Sequence, residues 1–415
     1  MAGLSPADIA APIRSILSRQ KNLRVVCGEV TQVDVQHNKI LTSAGEFEYD
    51  YVLLACGALH SYFGNDHWEE LAPGLKTIEQ ATEIRRRVLS AFEKAELTDD
   101  PAEKRKQLTF VVVGGGPTGV ELAGAIGEMS RFTLAKDFRS IDSKLARIIL
   151  VEAGPRILPM FSEALASRAV RDLESLGVQV WNHSRVSEIS KQGVEVSGEQ
   201  ISAATVLWAA GVEASEVGKA SQLECDPQGR VIVGKDLAIP SHPNAFVAGD
   251  QCSFESEHGK KLPGVAPVAV QQGKHFAKVI RAELNAESRP EFQYYDKGQM
   301  ATIGRSRAIA ETGKMKLTGF SAWMAWLFVH IYFLTGFRNR LFVIMSWAWS
   351  FLTFRRGARL ILAKNWKSFS ATDTAEQASA NDADSKDAGN KDGGDKDANI
   401  NQAETNKGES ATVHA

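Results

Sequence analysis

The run Val111-Val112-Val113-Gly114-Gly115-Gly116-Pro117-Thr118-Gly119-Val120-Glu121-Leu122-Ala123-Gly124 limits what this chain can become more than any other stretch. Phe110 and the three valines make an apolar segment of the length of one buried strand. The glycines then force a sharp turn into a helix expected over residues 117–129. The spacing Gly114-x-Gly116-x-x-Gly119 has a physical reading. Gly114 allows the tight turn, Gly116 lets a pyrophosphate approach the backbone, and Gly119 lets helix and strand pack closely. The phosphates would rest on free N–H groups at the positive end of the helix. A parallel α/β sheet that binds a dinucleotide is the expectation.

An acidic residue should end the following strand, where it can bind a ribose hydroxyl. Glu152 closes the apolar run Ile148-Ile149-Leu150-Val151 and lies 38 residues after Gly114, against a usual interval of about 20. The excess places an insertion at residues 130–146, whose pattern is polar and mixed. A carboxylate at this point repels a 2′-phosphate, so NAD is expected over NADP, with Arg156 close enough to work against that preference. With 415 residues, two or three domains are expected. A net charge of −2 gives no reason to expect nucleic acid. Cys27, Cys56, Cys225 and Cys252 lie too far apart for a CxxC or CxxxxC motif, which argues for a reducing compartment and against a metal site. Residues 1–19 lack the continuous apolar core of a secretory signal.

In chain order, Ser5-Pro6-Ala7-Asp8 starts a helix expected to run to Gln20. Residues 23–35 alternate as a strand, 40–49 as further short strands, and 51–57 as a buried strand ending in a small-residue turn at Gly57. Residues 78–95 are helical by periodicity, and 98–107 read as a charged linker. After Glu152, residues 162–176 form an amphipathic helix that ends at Gly177. Residues 178–181 and 185–197 are strands, the latter turning at Gln192-Gly193. Residues 205–211 repeat the apolar-strand-to-glycine turn, now at Gly211, so two related nucleotide-binding modules are expected. Residues 245–250 end a further buried strand in Gly249-Asp250, a place where ligands meet open α/β sheets.

The last part of the chain changes character twice. Residues 320–337 are almost wholly apolar, Arg338 and Arg340 interrupt, and 341–354 resume with Trp347 and Trp349 before Arg355, Arg356 and Arg359. Neither piece comfortably reaches the roughly 20 residues that a spanning helix needs. Two amphipathic helices lying in the membrane surface are therefore expected, with an apolar dimer interface as the other use of the same residues. His330 reads as interfacial. Residues 371–415 have no aromatic side chain and are expected to be disordered.

Residues 114–124, 150–156, 207–211 and 246–250, taken together and in order, resemble the type II NADH dehydrogenases. These are single-chain, non-proton-pumping NADH:quinone oxidoreductases among the two-dinucleotide-binding-domain flavoproteins. The resemblance covers residues 3–364 and implies FAD and NAD as cofactors. It implies two Rossmann-like domains, the first incomplete at its N-terminus, and a C-terminal amphipathic helical membrane anchor. The corresponding division is 1–105 with 236–300 for FAD, 106–235 for NAD, 301–368 for the membrane, and a tail at 369–415. The resemblance places Gly114, Gly116, Gly119 and Glu152 on NADH, and Gly249 and Asp250 on FAD. It also places the turn at Gly57 in the flavin domain, and Gly211 is the matching candidate cofactor turn. It puts Glu121 near the meeting of nicotinamide and flavin and carries Gln271 over as a quinone-side residue, with Pro267 where the family has another glutamine. The implied partners are a membrane quinone and the lipid surface, with a homodimer possible and attachment on the cytoplasmic face. One departure stands out: no GxGxxG unit precedes residue 50, so the polypeptide as written is expected to hold FAD weakly. A non-catalytic NAD-binding remnant and a related soluble NADH-dependent flavoprotein reductase remain alternatives.

Overall fold

A computed structural model describes residues 10–256, 259–333, 340–341, 343–345, 347 and 360–361. The glycine-rich unit folds around the strand Thr109–Val113, in which all five residues are buried. It lies inside a four-stranded sheet, in parallel register with Arg147–Val151 on one side and Thr205–Trp208 on the other. Val178–Trp181 extends the sheet beyond Arg147–Val151, again in parallel. Side chains alternate across a strand, so each strand feeds two cores. Phe110, Val112, Ile148, Leu150 and Leu207 pack against Val88 and Phe92 of the helix Ile78–Leu97 and against Leu122 and Ile126 of the helix Pro117–Glu128. Val111, Val113, Ile149 and Val151 face the other way, onto Ile189, Val194 and Ile201. Those three belong to an antiparallel meander, Val186–Ser190, Gly193–Val196 and Glu199–Ser202.

A second core surrounds Val52–Leu54, which pairs in parallel with His242–Val247. Beside it lies the antiparallel sheet Val30–Asp34, Lys39–Thr42 and Gly45–Glu48. The helix Ala266–Leu284 contributes Val279 to this core. The strands that leave the two small-residue turns, Ala58–His60 and Val212–Ala214, pair with each other and tie the two halves together. The C-terminal meander Gln299–Gly304, Arg307–Thr312 and Met315–Thr318 leads into the helix Gly319–Phe333. All described residues fall within one compact unit, Met1–Leu362.

Several expectations need correction. Residues 98–107 are not a linker: Asp100 accepts a 2.9 Å hydrogen bond from the Ala102 N–H, and proline opens the helix Pro101–Gln107. The expected strand over 23–35 shrinks to Val30–Asp34, whereas 185–197 forms two strands turning at Gln192-Gly193 as expected, with Glu199–Ser202 added as a third. Of the helix expected over 5–20, the described part holds one turn, Ile13–Ile16, and residues 1–9 lie outside the described set. The insertion at 130–146 begins as a π turn, Met129–Thr133, continuing the glycine-loop helix. Gly319–Phe333 is apolar around its circumference rather than amphipathic. Its Ala322 is buried, while Phe328, Tyr332 and Phe333 are exposed. Among the described residues no helix is long and apolar enough to cross a membrane. The expected second helix over 341–354 lies mostly outside the described residues, and the expected tail at 371–415 wholly so.

Candidate functional site

The chain turns at Gly114 with φ +108°, a conformation that side chains rarely adopt. A Cβ there would also stand 2.6 Å from the Ala209 carbonyl. At Gly119 a Cβ would meet the Gly114 carbonyl oxygen at 1.8 Å, so helix and turn touch backbone to backbone. Gly116 differs: nothing lies within 4 Å of the position its Cβ would take. It forms the N-cap of Pro117–Glu128 without any side-chain cap, which leaves the first N–H groups of the helix for an anion. A pyrophosphate fits this opening.

Glu152 lies beside that turn. One of its oxygens accepts from the Gly115 N–H and the other from the Gly154 N–H, both at 2.6 Å. Each oxygen keeps a second lone pair for a ribose hydroxyl. Arg156, which the sequence sets close by, turns away. Its guanidinium donates to the carbonyls of Leu158, Pro159 and Phe161 at 3.3, 2.9 and 2.9 Å. It is committed to the start of the helix Glu163–Ser175 and offers no cation to a 2′-phosphate.

Gly57, Gly249 and Asp250 come together at the carboxyl ends of the parallel pair in the second half. Gly57 and Gly249 have φ +73° and +77°, and no atom approaches the Cβ position of Gly57 within 4 Å. The turn is braced by side chains that sequence patterns do not single out. Gln251 accepts from the Cys56 N–H at 3.2 Å, and its own Nε2 is buried without a hydrogen-bond partner. Gln272 accepts from the Gly249 N–H at 2.7 Å. Lys76 reaches Asp250 at 3.6 Å, and Gln80, which also closes the capping box on Thr77, accepts from the Lys76 backbone N–H at 2.8 Å. Two bare glycine turns with a carboxylate between them suit the hydroxylated, planar end of a flavin. Among the described residues before Tyr51 there is no second turn of the Gly114 kind to take its phosphates. Burial pushes the Cys252 thiol up to about 12, which makes it inert.

Gly211, with φ +80°, follows the residues 209–210 that border the glycine turn, so it joins the dinucleotide side. Glu121 lies one turn into the helix Pro117–Glu128 and accepts from the Thr302 N–H of the C-terminal sheet at 3.2 Å. Gln271 sits apart from the Gly249 turn. Its amide exchanges two 3.0 Å hydrogen bonds with the backbone of Tyr295.

Burial raises the Glu121 carboxyl above its ordinary value of 4.5, and the Thr302 N–H only partly offsets this. The folded state therefore keeps a proton that the unfolded chain releases above pH 4.5. Stability linked to Glu121 is thus full below that pH and is lost as pH rises through the folded value. Glu121→Gln keeps the acceptor for Thr302 but removes the ionisation. Its thermal midpoint should gain on that of the parent as pH rises from about 4 to 8. A constant difference between the two chains across that range would contradict this.

Comparison with known proteins matches both halves of this arrangement. A family model described as pyridine nucleotide-disulphide oxidoreductase matches residues 2–273, and one described as the NDH2 C-terminal domain matches 296–356. A type II NADH:quinone oxidoreductase of Mycobacterium tuberculosis is 43% identical over 370 residues, covering 85% of this chain and 79% of that one. One from Staphylococcus haemolyticus is 31% identical over 324 residues, covering 77% and 79%. Among solved structures, NDH2 from Plasmodium falciparum in complex with NADH superposes with a TM-score of 0.77 at 20% identity, over 87% of this chain and 90% of that one.

Proposed function

This chain belongs to the type II NADH:quinone oxidoreductases, and from that premise we propose how its residues divide the work. It is a flavin-dependent NADH:quinone reductase that uses NAD(H) and FAD. Held by the turns at Gly57 and Gly249, FAD would supply the two-electron redox chemistry between NADH and a quinone. The rest is positioning. The open Gly116 and the uncapped helix start take the pyrophosphate of NADH, with Gly114 and Gly119 holding the turn in shape. Glu152 receives the adenosine ribose, and Gly211 forms the opposite rim. Gly57, Gly249 and Asp250 receive the flavin, with Lys76 setting the charge around Asp250. Glu121, on the dinucleotide helix, stands near the meeting of nicotinamide and flavin, and Gln271 stands on the quinone side. The division into 1–105 with 236–300, 106–235 and 301–368 follows these roles.

The observation that carries the reading is the pairing of Glu152 with the glycine turn while Arg156 points elsewhere. NADH should therefore bind at least about tenfold more tightly than NADPH, a difference of roughly 1.4 kcal/mol. Glu152→Ala should erase most of that margin. Equal dissociation constants for the two cofactors in the unaltered chain would sink the assignment. The match to the NDH2 C-terminal domain favours this activity over that of a soluble reductase. The family is membrane-associated. Peripheral attachment at the cytoplasmic face and a homodimer belong to the same proposal, and cross-linking in vesicles of known sidedness reads both.

A further inference from the structure

Phe63 is a large aromatic beside the dinucleotide turn that belongs to none of the hydrophobic cores. It is 67% exposed, and its backbone sits at φ +54°, which is uncommon for a bulky residue. Its neighbour Tyr62 is only 3% exposed, stacks on Trp208 with centroids 5.1 Å apart, and donates its hydroxyl proton to the Ala72 carbonyl at 2.9 Å. The segment is pinned on either side of Phe63. The Trp208 indole N–H donates to the Ser61 carbonyl at 2.9 Å, and Asn65 donates to the Tyr62 carbonyl at 3.2 Å. The left-handed backbone sets the tip of the Phe63 ring over Gly211 while most of the side chain faces solvent. A Cβ on Gly211 would stand 2.6 Å from the ring tip, so the ring rests on that bare backbone. Apart from Gly211, its ring contact is an edge against Trp208, with centroids 6.1 Å apart. The backbone is fixed and the ring is loosely held.

Gly211 ends the turn whose first residue, Ala209, lies against Gly114. The ring therefore covers the rim of the dinucleotide site away from Glu152, at the end where the nicotinamide of a bound NADH would arrive. We propose that Phe63 is a positioning residue for the nicotinamide end: it plugs the Gly211 turn in the free protein and swings aside as NADH enters. The proposal rests on the NADH reading above. While the plug is in place the site is closed to the ring, so the apparent affinity is lowered by the fraction of molecules that stand open.

The test uses the full chain and the variants Phe63→Ala and Phe63→Leu, followed by stopped-flow tryptophan emission, since Trp208 lies beside the ring. NADH is compared with ADP-ribose, which has the same adenosine and pyrophosphate but no nicotinamide. Phe63→Ala should raise the association rate constant for NADH about fivefold, with Phe63→Leu between it and the parent, while ADP-ribose changes by less than about twofold. No change with NADH, or equal changes with both ligands, overturns the plug. If the unaltered chain binds neither ligand, the dinucleotide reading itself has failed, and that outcome is distinct from the other two.

Discussion

Gly119→Val should weaken NADH binding roughly 100-fold while leaving the chain folded enough to purify. The added Cβ would fall 1.8 Å from the Gly114 carbonyl oxygen, and that oxygen is backbone in a turn with no slack. Gly114 itself is held by a 2.8 Å hydrogen bond from its N–H to the Val151 carbonyl and is pressed against Ala209. The helix must therefore move away from the turn, carrying its free N–H groups with it. Overpacking of this kind costs about 1–3 kcal/mol where side chains can yield, and more where only backbone is available. A loss of roughly 100-fold in affinity corresponds to about 2.8 kcal/mol. Titration calorimetry with NADH reads it directly. Gly116→Ala is the matched comparison, because its Cβ would enter open space. That change should disturb the fold little and act only where the pyrophosphate approaches. If Gly119→Val bound NADH as tightly as the parent, the glycine turn would not be the dinucleotide site.

Ending the chain before Phe320 should release it from membranes while NADH binding survives. Phe320, Phe328, Val329, Tyr332 and Phe333 are 57, 67, 39, 69 and 59% exposed, an unusual density of bare apolar surface on one helix. Half-burying each in a lipid interface is worth roughly 1 kcal/mol, so together they bias partitioning on the order of a thousandfold. The meander that carries the helix stays, since Ala301, Ile303 and Ile309 bury it in the main core independently of the contact that Ala322 makes with Ala308 and Ala310. Flotation on a sucrose gradient measures the effect. A truncated chain that still floats with lipid would place the anchor elsewhere. A parent chain stripped by salt alone would assign the attachment to the arginines rather than to these side chains.

What could be read from the amino-acid order was what repeats or what a short motif encodes. The strand Thr109–Val113, its turn and the helix Pro117–Glu128 lie within about one supersecondary unit, so local pattern carries them. Glu152 was legible because it ends the next apolar strand. Lys76 was not: its partner Asp250 is far along the chain, and no periodicity joins them. The same holds for Phe63 over Gly211. Gln271 and Gln272 show a finer limit. The family pattern points to the first, yet the hydrogen bond to the Gly249 turn is made by the second. One step along a helix rotates a side chain by about 100°, and motif spacing alone does not say which glutamine faces the turn. Residues 98–107 misled for another reason. Their charges look like a linker, but Asp100 and Pro101 are a helix start, and local capping overrode composition.

The close approach between the glycine-loop helix and the C-terminal sheet bears on how the molecule comes apart. A Cβ on Gly124 would meet the Ile303 carbonyl oxygen at 1.8 Å, and one turn earlier Glu121 accepts from the Thr302 N–H. The helix backbone abuts the strand backbone at Gly124, and the Glu121 carboxylate clips the neighbouring residue of the strand, so a shift of either element is felt by the other. Ile303 and Ile309 sit in the same core as Leu122 and Ile126, so losing the meander strips one wall of the helix. Heat or denaturant should then melt the meander and the dinucleotide turn in a single cooperative transition, without a stage in which a bare NAD-binding core persists. NADH, by tightening the turn, should protect amides of Gln299–Gly304 from hydrogen exchange as much as those of Pro117–Glu128.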